Sequence, residues 1–196
     1  MRVLTSFFLG VLLATAVGIT ADDHPFYVVN GSVVFDGYDV HIVNGNLLVG
    51  QGHTVDGVHN VVVGEDNIAF GNNNFVWGKG SESWTNFSFV AARKARAFAP
   101  YSALLGGVGN WTGPTASYAS AFGGRLNQVE APYATSVGGY QNFAKGAYST
   151  TVSGNHTTAN GILATTVGGW FAKANGARSV AIGSFAEANA ADEVAQ

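Results

Sequence analysis

The sequence predicts an all-β fold, a parallel β-solenoid built as a narrow roll of about eleven coils of 14–15 residues and preceded by a signal peptide. Three observations predict it. A small residue ends an apolar triplet at Asp36, Gly50, Gly64, Gly78, Ala92 and Gly106 in steps of 14, at Gly123 after a step of 17, and at Gly138, Ser153, Gly168 and Gly183 in steps of 15. Within each unit the apolar residues alternate with period 2, as a strand requires. A second set of turn residues follows the anchor at Gly71, Gly113, Gly146, Gly161 and Gly176, where a left-handed backbone suits a sharp reversal.

Taken in order, residues 1–21 look like a secretory signal peptide: Arg2 is the positive start, an apolar run follows from Val3 to Leu13, and Ala14 and Ala16 supply small residues near a cleavage site. Residues 22–31 are an N-terminal segment, 32–190 the repeat domain and 191–196 a tail. The expected localisation is secreted and extracellular, with no membrane insertion, because no later stretch is long and apolar enough to span a bilayer. Inside each coil the residue before the anchor (Phe35, Val49, Val63, Trp77 and their successors) and the one two earlier (Val33, Leu47, Val61, Phe75) are expected to point inward. The residue between them is then outward. It is Val34, Leu48, Val62, Val76, Val90 and Leu104 in the first six coils, and stacked apolar residues on an outer face predict a subunit contact, cover by an N-terminal segment such as Phe26 to Val29 being the alternative.

Composition narrows the function. Twenty-seven Gly, no Cys and 11% charged residues suit repeated tight turns, and the missing cysteine removes thiol catalysis and cysteine metal sites. A net charge of −3 implies no nucleic-acid or membrane-surface partner, although all seven acidic residues between Asp22 and Trp77 lie in a stretch with no Lys or Arg.

SVAIG at Ser179–Gly183, TSVGGYQNFAKG at Thr135–Gly146 and TTVGGWFAKANG at Thr165–Gly176 resemble the head repeat of trimeric autotransporter adhesins, the YadA-like haemagglutinin repeat. The resemblance covers roughly residues 59 to 190. It implies a left-handed β-roll, three chains side by side, and adhesion to surface or matrix molecules rather than catalysis. The 196 residues show neither a heptad stalk nor barrel strands, and the insertion around Gly113, Pro114 and Thr115 departs from the family pattern.

Candidate functional residues follow from the columns. Phe87, Tyr101, Tyr118, Tyr133 and Tyr148 form an aromatic ladder, expected as a corner seal, with a sugar-stacking platform as the alternative. Tyr140, Trp170 and Phe185 form a looser ridge with the same two readings. Of four N-x-S/T sequons, Asn86 and Asn155 fall near coil corners and are the expected glycan carriers, whereas Asn110 shares a column with Asn127 and Asn142 and reads as part of an asparagine ladder. His53, Asp56 and His59 have no spacing that gathers them into a metal site, Arg93, Lys94 and Arg96 read as a solvated corner, and the scattered carboxylates offer no acid and base pair. The sequence thus predicts a non-enzymatic module without cofactor, a homotrimer that binds an extracellular glycan or a matrix or wall protein. Ice binding through stacked Ser and Thr is the alternative, and a carbohydrate-active enzyme ranks below both.

Overall fold

The computed structural model describes residues 26–29, 32–35 and 45–196. It divides into two units, Met1–Val43 and Asn44–Gln196. In the first, Phe26–Val29 pairs antiparallel with Ser32–Phe35, placing Tyr27 opposite Val34. This corrects the expectation that Val33, Val34 and Phe35 open the parallel stack. In sequence the two strands are separated by Asn-Gly, the dipeptide most favoured in two-residue hairpin connections. The proposed signal peptide at 1–21 and the sequon at Asn30 lie outside the described residues.

The second unit is a parallel β-solenoid of eleven coils. One sheet has eleven strands, from Leu47–Gln51 to Val194–Ala195, and the other has ten, from Thr54–Asp56 to Glu187–Ala188. Every neighbouring pair is parallel, with one register shift between Leu105 and Val108, and one line of equivalents runs from Leu48 through Val62, Val76, Val90, Leu104, Ala121, Ser136, Thr151, Thr166 and Ala181 to Ala195. The roll therefore continues through the segment read from sequence as a tail. Main-chain bonds join successive coils without a gap, as in Ser120 N–H to Ala134 O (3.0 Å), Thr135 N–H to Ser149 O (2.9 Å) and Thr150 N–H to Ala164 O (2.9 Å).

That line of equivalents is the core. Val62, Val76, Val90 and Leu104 have 0% exposure, while the flanking Trp77 is 57% exposed. The expected subunit contact of Val34, Leu48, Val62, Val76, Val90 and Leu104 is thus corrected: the last four are interior, Leu48 occupies the same line in the exposed first strand of the stack, and Val34 belongs to the hairpin. The physical reason is size. A coil this short leaves room inside for only one small or medium side chain per strand, so the middle residue of each triplet turns in and the bulkier outer two turn out. Because side chains alternate with period 2, choosing the wrong phase reverses every residue of a strand.

Beside the buried alanines, the interior carries polar side chains that bond to the backbone at the corners. Asn110 Oδ1 accepts the Asn127 N–H, Asn127 Oδ1 the Asn142 N–H, and Asn142 Oδ1 the Thr157 N–H, each at 3.0 Å. Their amides donate to corner carbonyls, Asn110 to Gly123 O at 2.7 Å and Asn127 to Gly138 O at 2.9 Å. A second ladder of the same design runs through Asn46, Asn60, Asn74 and Ser88 at another corner. Between the two apolar core clusters, one ending at Ala144 and the other beginning at Ala159, lies a hydroxyl layer in which Thr151 donates to Ser136 and Thr166 to Thr157.

Of the second set of turn glycines, Gly71 has the expected positive φ, at 95°, whereas Gly113 and its later counterparts do not. Gly146, Gly161 and Gly176 have no positive φ; instead a Cβ at Gly161 would lie 2.0 Å from the Gly176 carbonyl oxygen of the next coil. Close backbone approach, rather than turn handedness, demands glycine there.

Candidate functional site

With the phase settled, the outward face of the eleven-strand sheet runs the length of the stack. One of its rows reads Val49, Val63, Trp77, Ala91, Leu105, Phe122, Val137, Val152, Val167 and Ile182, apolar on each of the first ten strands. Another begins Leu47, Val61, Phe75 and Phe89 and turns to Ser120, Thr135, Thr150 and Thr165 further along. No charged side chain interrupts either row, but at one edge of the same face the first four strands add Gln51, Glu65, Lys79 and Arg93, with Lys79 and Glu65 paired at 2.8 Å. Phe75 and Phe89 stack at 4.6 Å and 3°. Ten coils at about 4.8 Å give a strip on the order of 45 Å long, and a contiguous apolar strip of that length is rare on a free monomer surface.

The aromatic ladder is continuous. Phe87, Tyr101, Tyr118, Tyr133 and Tyr148 stack at 5.1, 4.8, 5.1 and 4.7 Å with interplanar angles of 1–4°. All five occupy left-handed backbone at one corner, with φ between 56° and 61°. Each ring is about half exposed, but in the three middle tyrosines both faces are covered by neighbouring rings. A sugar stacks on a ring face, and these rings present only edges and hydroxyls. The ladder continues through Leu163 to Arg178 and Asp192, which form a bidentate pair with both contacts at 2.6 Å. The hydrogen bond from Arg178, followed by its charge, holds the Asp192 carboxyl below the usual carboxylate range, and Asp192 raises Arg178 in return.

Tyr140 and Trp170 share one corner column with Asn155 between them and do not touch. Tyr140 lies edge-on to His156 and under the Arg125 guanidinium at 5.8 Å, while Trp170 stands out into solvent. Phe185 belongs to the neighbouring column, 6.0 Å from Phe171, because the last coils shorten by one residue.

Asn110 is buried and spends its amide nitrogen, the atom that carries an N-linked glycan, on Gly123 O. Asn86 is exposed, with its oxygen accepting the Asn72 N–H at 2.6 Å, and Asn155 is half-buried against His156. The threonines divide by face: Thr151 and Thr166 point inward with Ser136, so the outward hydroxyl row is Thr135, Thr150 and Thr165. His53 Nδ1 accepts the Asn67 N–H at 3.3 Å, and Asn67 Oδ1 accepts the Ser81 N–H at 2.9 Å, a short run that ends at Ala95. Asp56 and His59 lie on a strand and at the next corner, and no metal-binding group of three side chains forms among the described residues. Glu82 and Glu187 share an outward column of the ten-strand sheet but are seven coils apart, about 34 Å, far beyond the reach of an acid and base pair. Among the described residues no helix is long and apolar enough to cross a membrane.

The chain matches no protein-family model and none of the curated proteins searched.

Proposed function

We propose that the chain is a secreted, non-enzymatic module that assembles side by side as a homotrimer and adheres through contacts repeated along the roll. The observation that supports this reading is the uninterrupted apolar row from Val49 to Ile182 on the outer sheet face. A surface of that kind, with charge confined to the edge column of Glu65, Lys79 and Arg93 and repeating at the coil spacing, suits a second copy of itself in the same register better than a globular partner of different periodicity. Burial of rings such as Trp77 and Phe89, 57% and 41% exposed, supplies the gain in association. The resemblance to left-handed YadA-like heads points to three copies and to adhesion. Glycans at Asn86 or Asn155 lie on corners rather than on this face, so they leave it free to associate.

Adhesion by such a rod is multivalent: weak sites on each chain are multiplied by three. Surface plasmon resonance against arrayed glycans and matrix proteins tests it. The wild type should bind at least one class, and a monomeric variant should lose on the order of 10²-fold in apparent affinity through lost avidity. Binding of equal strength by trimer and monomer would reject the multivalent reading.

A further inference from the structure

We infer that the corner around Arg93, Lys94 and Trp111 is a binding site for anionic sugar units of a polysaccharide. The step of 17 residues hides this grouping in the sequence. Arg93 ends the strand Phe89–Arg93 and pairs with Val108, which bridges in turn to Arg125, so two arginines lie two coils apart, about 10 Å, on one column. Lys94 stands beside Arg93 in left-handed backbone. Around the corner Arg96, Trp111 and Gln128 are register neighbours on the outward side of the ten-strand sheet. Phe98 meets Trp111 edge to face, with ring centres 6.3 Å apart and planes at 84°. Lys94, Arg96, Phe98, Trp111, Leu126 and Gln128 line a shallow recess there, with the Leu126 side chain against Gly109.

Charge and shape together name the ligand class. Arg96 is matched by Glu82 at 3.2 Å, whereas Arg93, Lys94 and Arg125 face no carboxylate within ion-pair distance among the described residues. That leaves Arg93 and Lys94 as uncompensated cations beside two aromatic walls, on a chain whose net charge is −3, while the Arg125 guanidinium lies over the Tyr140 ring at 5.8 Å. The patch spans three coils only, too short for the extended basic stripe that a nucleic-acid backbone needs. Unlike the tyrosine ladder, Trp111 has no parallel-stacked neighbour, so its indole can pack against the apolar face of a pyranose while a sulfate or carboxylate on the same unit meets Lys94 and Arg93. The recess would act once per chain and three times per trimer.

The inference gives the adhesive reading a ligand class and rests on it. Isothermal titration of the full chain with heparin and hyaluronan oligosaccharides, at low and moderate salt, tests it, heparin reporting sulfate and hyaluronan carboxylate recognition. The wild type should bind at least one. Arg93→Ala/Lys94→Ala, both exposed and outside the core, should weaken binding at least 10-fold and lower the slope of log K against log salt by about two. Trp111→Ala should weaken it by about 10-fold at either salt. Two outcomes overturn the site: no binding of either oligosaccharide by wild type, or binding insensitive to both variants and equalled by a single-stranded oligonucleotide of the same charge. Light scattering on each variant separates this failure from failure of the trimer, since a trimeric protein that ignores both sugars rejects the site alone.

Discussion

Asn127→Ala removes one rung of the interior ladder, and its cost is set by what the rung holds. The side chain accepts the Asn142 N–H at 3.0 Å and donates to Gly138 O at 2.9 Å, both deep in the roll, where Asn127 and Asn142 have 0% exposure. Alanine replaces neither contact. The buried Asn142 N–H is left unpaired at a cost of about 1–3 kcal/mol, and Gly138 O, which keeps the 3.2 Å bond from Asn142 Nδ2, loses its shorter one for about 1 kcal/mol, so the expected loss is roughly 3 kcal/mol. At about 2–4 °C per kcal/mol for a unit of this size, the melting temperature should fall on the order of 10 °C. Asn160→Ala is the matched control, because Asn160 pairs with Asn175 on the exposed surface and its loss should stay within about 0.5 kcal/mol. Urea unfolding followed by far-ultraviolet circular dichroism, at fixed protein concentration so that association does not shift the result, measures both. Equal destabilisation by the two variants, or a loss below about 1 kcal/mol for Asn127→Ala, would refute the claim that the ladder stabilises the roll.

Other consequences can be checked separately. Thr112→Val replaces a buried hydroxyl that has no hydrogen-bond partner with a methyl group of the same shape, between Ala97 and Val129, and should raise stability by about 1 kcal/mol in thermal melts. Tyr118→Asn/Tyr133→Asn keeps side chains that tolerate left-handed backbone while deleting two stacked rings, so the melting temperature should drop; unchanged stability with abolished ligand binding would instead make the ladder a binding site. The Asp192 carboxyl, held low by Arg178, adds stability above the unfolded carboxylate pKa and loses it as pH falls through its own lower value; by NMR it should titrate below a free carboxylate in the wild type and normally in Arg178→Ala.

The repeat and the solenoid are legible in the sequence because each coil ends its apolar triplet with a small residue at nearly constant spacing. The column of Asn110, Asn127 and Asn142 is legible for the same reason. Strand phase is not, since Val61-Val62-Val63 offers apolar residues on both faces and hydropathy cannot choose between them. The later coils hold the answer: Ser120-Ala121-Phe122 and Thr135-Ser136-Val137 put their smallest residue in the middle, which a narrow interior requires. Asn30-Gly31 carries a hairpin signal that the repeat spacing masks. The grouping of Arg93 with Arg125 depends on how the longer coil is accommodated, and only the bridges through Val108 reveal it.

The most direct measurement is the solution mass, by multi-angle light scattering, of a matched pair of variants. Val63→Asp/Trp77→Asp alters the outer face alone, whereas Val62→Asp/Val76→Asp places carboxylates in the core, where each costs several kcal/mol. The account predicts that the wild type has the mass of three chains, that the outer variant has the mass of one folded chain with the circular dichroism of the wild type, and that the inner variant is unfolded. A wild-type protein with the mass of a single chain, or an outer variant that remains trimeric, would contradict it.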